Sequence, residues 1–120
     1  MKNKLYTYKV IKINRVVDGD TVDVTIDLGF NIFKKLRVRC LHYDAPEVYH
    51  ASEEEKKLGL IAKQKLEELL FSSIQESGLY LRTYKDPSIY SRWYGEFITE
   101  NQLNINLIMK EYCRQLKKEV

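Results

Sequence analysis

The chain has 120 residues, 44% hydrophobic and 31% charged, with nine tyrosines, which is enough for one domain spanning residues 1–120 with a real core and too little for two. This composition excludes a disordered chain, and no apolar run is long enough to span a bilayer, so no membrane partner is expected. The formal net charge of +3 is too small to establish a nucleic-acid partner, because a mildly basic surface also serves solubility. Charge is nevertheless separated along the chain, acidic at Glu53 to Glu55, Glu67 and Glu68, basic at Lys34 to Arg39 and Lys110 to Lys118.

Tyr6 to Val17 reads as a first strand, with Ile11 and Ile13 alternating against Lys12 and Asn14. Asp18-Gly19-Asp20 turns the chain. Val22, Val24, Ile26 and Leu28 then fall on one face and Thr21, Asp23, Thr25 and Asp27 on the other, the pattern of a half-buried strand. Leu28-Gly29-Phe30-Asn31 supplies a reversal, and Ile32 to Leu41 returns as the second arm of a hairpin, with Leu36, Val38 and Cys40 inward and Arg37 and Arg39 on the opposite face. Pro46 cannot donate to a ladder, so Tyr43 to Glu47 is a loop leaving the strand end.

Ser52-Glu53-Glu54-Glu55 has the form of a capping box. The helix it opens carries Leu58, Ile61, Ala62, Leu66, Leu69 and Leu70 at three-four spacing to about Phe71. Gly59 inside it costs on the order of 1 kcal/mol against alanine, and marks either close packing or the true helix start. Ser77-Gly78 ends the unit. Leu79 to Tyr84 is a fourth strand, Lys85 to Ser88 a turn, and Tyr90 to Thr99 an aromatic-rich fifth strand. A second helix follows over Leu103 to about Leu116, with Leu103, Leu107, Ile108 and Tyr112 at helical spacing. The order is α+β, and five mostly antiparallel strands with a helix after the third predict a small oligonucleotide-binding barrel.

Folding the hairpin brings its two ends together. Asp20 shares the parity of Val22 and Val24, so it faces the interior at the barrel mouth, where a carboxylate is costly unless a cation or donors satisfy it. Asp44 leaves the third strand beside it. Two hard oxygen ligands with a backbone carbonyl and waters suit calcium or magnesium. Arg39, and Arg92 from the fifth strand, can direct planar donor forks at a phosphate, while Glu47 can polarise a water. Phosphodiester hydrolysis needs these parts, because the anionic ester repels nucleophiles until its charge is neutralised and a base assists the water.

Asp18-Gly19-Asp20-Thr21-Val22, Arg39, Asp44-x-Pro46-Glu47 and Tyr90-Ser91-Arg92 resemble the motifs of the staphylococcal nuclease (thermonuclease) family. The resemblance runs from about Ile11 to Cys113 and takes in Gly59-x-x-Ala62, Leu103-Asn104 and Leu107-Ile108. It implies the five-stranded oligonucleotide-binding barrel and calcium-dependent endonucleolytic hydrolysis of DNA and RNA, with magnesium the lesser alternative. Asp20, Asp44 and the Ala45 carbonyl would be metal ligands, Arg39 and Arg92 would bind the phosphate and stabilise its transition state, and Glu47 would be general base. The substrate would be single-stranded or loosened nucleic acid, taken by a monomer. Ala45, Ser91 and Ser88 depart from the family's usual threonine, glycine and acidic residue, and Cys40 and Tyr43 from aliphatic ones. The chain also ends soon after the second helix, where the family carries a further helical segment, so weaker substrate affinity is expected.

Blander readings stand beside these. Asp-Gly-Asp alone is a turn, Arg39 alone a solvated strand face, and Arg92 could stack on Tyr90, Trp93 and Tyr94. Tyr84 and Tyr112 are the weaker candidates for stacking a substrate base. His42 and His50 bracket Asp44 at a spacing that can suggest zinc, although surface or supporting roles are simpler. Cys40 and Cys113 lack CxxC spacing and read as buried free thiols. Met1 to Val10 has no apolar core of a signal peptide, so a cytoplasmic location is expected unless a leader has been removed. The rival functions are a barrel of the same fold that binds nucleic acid or protein without cleaving it, and a structural barrel whose charged groups pair with one another.

Overall fold

Alternating apolar residues build a three-stranded meander, and two later strands and two helices close it. In the computed structural model, which describes residues 6–49, 51–84 and 93–118, the elements are β1 (Thr7–Asp18), β2 (Thr21–Asp27), β3 (Phe33–Cys40), α1 (Glu53–Glu76), β4 (Leu79–Thr83), β5 (Trp93–Thr99) and α2 (Ile105–Lys118). The strands form a closed barrel in the order β1-β2-β3-β5-β4. With a helix after the third strand and another at the C-terminal side, this is the expected α+β oligonucleotide-binding architecture. Among the described residues no helix is long and apolar enough to cross a membrane.

The β2–β3 hairpin runs in unbroken register from Thr21↔Arg39 to Asp27↔Phe33. Its reversal uses three consecutive left-handed residues, Gly29, Phe30 and Asn31, of which only the glycine is free of Cβ strain. Barrel closure depends on β1 pairing twice, with β2 along most of its length and with β4 over Thr7 to Lys9. Register shifts at Val10/Lys12, Ile13/Arg15 and Val16/Asp18 coil the strand enough to do so. They also change which residues face inward: Val10, Ile13 and Val16 are buried and Ile11 is exposed, so simple alternation over Ile11 and Ile13 does not hold. β3 and β5 run parallel, Val38 opposite Trp93 and Arg39 opposite Tyr94.

Val22, Val24, Val38, Leu79, Leu81 and Phe97 fill the barrel, and Ala62, Leu66 and Leu70 of α1 and Ile105 and Met109 of α2 belong to the same core. β2 is buried on more than one face, because Thr21 and Thr25 are buried too, the Thr25 hydroxyl donating to Asn14 Oδ1 at 2.8 Å. At the start of α1, the Ser52 hydroxyl accepts from the Glu55 N–H at 3.2 Å and three glutamates complement the helix dipole. The helix continues past Phe71, and there the Ser72 and Ser73 hydroxyls donate back to the Leu69 carbonyl, at 3.2 and 2.7 Å, so they need no partner outside it. It ends where Gly78, at φ 112°, donates to the Ser73 carbonyl at 2.8 Å.

α2 presents a different face from the one its leucines suggest. Leu103 and Leu107 are exposed, while Ile105, Asn106, Met109, Cys113 and Leu116 are buried. The reason is polar. Asn106, 1% exposed, donates from Nδ2 to the carbonyls of Leu41 and Gly95 at 3.0 and 2.8 Å and accepts from the Phe97 N–H at 3.0 Å. One amide thus serves three backbone groups, of which the Gly95 carbonyl also accepts from the Leu41 N–H at 3.0 Å, and that sets the rotation of the helix. Both cysteines are free and buried, and burial pushes their thiols up, to about 12 for Cys40 and about 11 for Cys113, which makes them inert.

Candidate active site

The two ends of the hairpin meet as the sequence anticipates. Asp20 lies in the turn before β2 and is 8% exposed. Its Oδ2 accepts from the Ala45 N–H at 2.8 Å and pairs with Arg39 Nη1 at 3.2 Å, and its Oδ1 accepts from the Thr21 hydroxyl at 3.1 Å. Arg39 extends from β3 with its side chain 15% exposed. Nη1 also donates to the carbonyls of Cys40 and Tyr43, at 3.0 and 3.1 Å, and Nη2 binds Asp44 Oδ1. The guanidinium fork therefore ties the turn before β2 to the loop after β3. Asp44 remains open to solvent, its side chain 83% exposed.

The loop that carries Asp44 is held from several sides. The Tyr43 hydroxyl donates to the Gly19 carbonyl at 2.7 Å, so this tyrosine adds a polar handle to the core. Gly19 allows the close approach: a Cβ there would sit 2.6 Å from the Ala45 Cβ and 2.8 Å from that of Ala62. Gly59 of α1 does the same on the other side, where a Cβ would meet the Glu47 carbonyl oxygen at 2.6 Å. Of the two readings of Gly59, close packing is the one observed, since α1 begins six residues earlier at Glu53. Glu47 is exposed and borders a groove of about 640 Å³ with Ala45, Pro46, Ser52, Glu55 and Lys117.

Negative charge is crowded at the turn. Burial, and then the neighbouring Asp18 carboxyl, lift the Asp20 carboxyl from 3.8 to about 6, against the lowering influence of the Ala45 N–H and Arg39. Asp18 also accepts from the Asp20 N–H at 3.1 Å. An all-oxygen donor set with excess negative charge suits a hard divalent cation. Among the described residues no group of three or more His, Cys, Asp or Glu side chains is gathered to hold a metal, so the protein would supply only part of a coordination shell.

Other sequence-nominated residues are placed unevenly. Arg92, Ser88, Ser91 and His50 lie outside the described residues. His42 is turned to Glu96, with Nε2 2.8 Å from Oε2. Tyr84 donates its hydroxyl to Glu96 Oε1 and, with Tyr6, Tyr8, Lys34, Leu36 and Trp93, lines a groove of about 320 Å³ at the opposite end of β2 from Asp20. Tyr112 has Lys65 Nζ over its ring, 5.4 Å from the centroid.

Sequence reasoning missed Asp18 as a participant, although it begins the very motif that nominated Asp20. It also missed Lys117, whose ammonium donates to the Asp44 carbonyl at 3.1 Å, and Asn106. For these two the only signals were a basic helix end and a polar residue within an apolar run.

No protein-family model matches the chain. The protein described as endonuclease YhcR of Bacillus subtilis (strain 168) is 33% identical over 100 residues, covering 79% of this chain. The chain spans 8% of that protein's length.

Proposed function

We propose that this chain is a nuclease domain of the staphylococcal nuclease type, hydrolysing phosphodiester bonds of DNA or RNA with a calcium ion. The observation that carries the reading is the convergence of Asp20, Arg39 and Asp44, from the two ends of one hairpin, beside the Glu47 groove. Similarity to an endonuclease supports the substrate class.

Asp20, Asp44 and the Ala45 carbonyl would hold the ion, with Asp18 adding charge next to them. Bound there, a divalent cation supplies a Lewis acid for a phosphoryl oxygen. Arg39 takes up charge that grows on the phosphoryl oxygens, and Arg92 is the expected second donor. Glu47, free in the groove, accepts the proton of the attacking water as its oxygen bonds to phosphorus. The bond from phosphorus to the departing sugar oxygen breaks, and solvent protonates that oxygen.

One observation favours a second reading. Arg39 already pairs with both Asp20 and Asp44, so these charges are satisfied without a metal, which a non-cleaving barrel permits and a structural barrel requires. Incubating single-stranded DNA and RNA with the protein in calcium and then in chelator separates the two. The nuclease reading expects calcium-dependent shortening of the strands. Binding that persists in both conditions with intact strands overturns it.

A further inference from the structure

We propose that His42 is a positioning residue: its bond to the buried carboxylate of Glu96 sets the turn that carries Asp44 and seats Arg39. This rests on the nuclease reading above, and it starts from a backbone anomaly. His42 has φ 82°, in the left-handed region that suits glycine and that only a few per cent of other residues enter, asparagine, aspartate and histidine more often than the rest. Such a conformation persists where the surroundings over-determine it.

Those surroundings converge on Glu96 of β5, which is 5% exposed. Its Oε1 accepts from the Tyr84 hydroxyl. Its Oε2 accepts from Asn104 Nδ2 and from His42 Nε2, each at 2.8 Å, while Arg82 Nη1 stands 3.9 Å from Oε1. Burial alone would raise the Glu96 carboxyl; the bonds from Tyr84, Asn104 and His42 outweigh it and hold the group below its ordinary value. An ionised carboxylate can only accept, so Nε2 of His42 carries the proton. The hydrolysis described above makes no use of this buried group.

Its connections lead back to the site. Leu41 is fixed by its N–H on the Gly95 carbonyl at 3.0 Å and by Asn106 on its own carbonyl. His42 then reverses the chain, and Tyr43 offers its carbonyl to Arg39. Asp44 follows. Releasing the imidazole from Glu96 frees the residue between two of the guanidinium's seats, the Cys40 and Tyr43 carbonyls, and the carboxylate that is its third.

His42→Gly tests this, because glycine relieves the backbone while removing the grip. Glycine relieves the strain but gives up a bond to a buried carboxylate, so the variant is expected to melt slightly below wild type and to be fully folded at the assay temperature. Its kcat should nevertheless fall, by about 10²-fold for a displacement near 1 Å, with KM changed far less. His42→Gln, whose amide can donate to Glu96, should recover part of kcat. Calcium affinity measured by calorimetry should fall in His42→Gly.

Wild-type kcat in His42→Gly overturns the proposal, as does a loss that only parallels a lower melting temperature and that His42→Gln does not restore. A wild-type protein that cleaves nothing overturns the nuclease reading instead. Calcium affinity then decides: equal affinity in wild type and His42→Gly, including none in either, overturns the positioning role as well.

Discussion

Gly59 of α1 packs directly on the backbone of Glu47, so closely that an added Cβ would stand 2.6 Å from the Glu47 carbonyl oxygen and 2.9 Å from its carbonyl carbon. Replacing Gly59 by alanine gains on the order of 1 kcal/mol of helix propensity. The clash is with backbone on a loop wedged against α1, and overpacking of this kind costs about 1–3 kcal/mol. Gly59→Ala is therefore expected to lower the melting temperature and to reduce cleavage, since the helix and the Glu47 loop must separate. A melting temperature above wild type would mean that the loop yields freely.

On the nuclease reading Glu47 is the base and Asp20 a metal ligand, so their variants should fail differently. Glu47→Gln keeps the groove's shape and removes the base, so turnover is expected to fall by about 10²- to 10⁴-fold with calcium affinity retained. Asp20→Ala should lose calcium affinity itself. Calorimetry beside a cleavage assay distinguishes the two, and unchanged turnover in Glu47→Gln would remove it as base.

Asp20 also predicts a pH dependence in the absence of divalent cations. Its carboxyl lies above its ordinary value in the fold, at about 6, so the native state holds the proton more tightly than the unfolded chain does. Its contribution to stability is complete below about pH 4 and is lost as pH rises through 6. Asp20→Asn imitates the protonated group at every pH. Its advantage over wild type should be near zero at pH 4 and grow to on the order of 3 kcal/mol above pH 6, at about 1.4 kcal/mol per unit. Denaturant titrations at three pH values measure it, and a constant difference would refute it.

Arg39 and Arg37 sit two positions apart on β3 with opposite prospects. Arg37 forms a solvent-facing fork with Asp23, at 2.7 and 3.0 Å, and such exposed pairs contribute about 0–1 kcal/mol. Arg39 serves two carboxylates and two carbonyls at once, a task that a lysine's single ammonium cannot copy. Arg39→Lys should lower kcat by about 10²-fold or more, the scale of one lost transition-state donor. Arg37→Ala should leave cleavage close to wild type; equal effects of the two would argue for general attraction of nucleic acid.

Asn106→Leu fills the same space without the amide. It strands the Leu41 carbonyl and the Phe97 N–H, each at about 1–3 kcal/mol when buried and unpaired, and leaves the Gly95 carbonyl with only the Leu41 N–H. Destabilisation of several kcal/mol is expected in chemical denaturation. A loss below 1 kcal/mol would show that α2 can seat itself by apolar contacts alone.

Much of the barrel is legible in the chain because local patterns carry it: the alternation from Val22 to Ile26, the glycine at the hairpin, the capping serine of α1. The candidate hairpin site is legible for the same reason, since Asp20, Arg39, Asp44 and Glu47 are joined by one reversal. What escapes is decided by partners distant in sequence. The inward residues of β1 follow bulges that no single strand announces, and the buried face of α2 follows backbone groups of Leu41 and Gly95. His42 reads as a bystander until Glu96, on another strand, is beside it. Arg92 falls in a stretch outside the described residues, so its part rests on the motif.

The parallel pairing of β3 with β5 sets an order of assembly. The β2–β3 hairpin can form from neighbouring residues, but its union with Trp93 to Gly95 has to wait until α1 and β4 have been made and packed, and such non-local closure is slow. The grips on the Leu41–Asp44 turn from Gly95, Glu96 and Asn106 arrive only with that last step. The hairpin therefore exists before the contacts that hold the Leu41–Asp44 turn, and the candidate site is finished only when β5 and α2 are in place. In refolding experiments cleavage should return with the slowest phase, and activity that returned with the earliest would contradict that order.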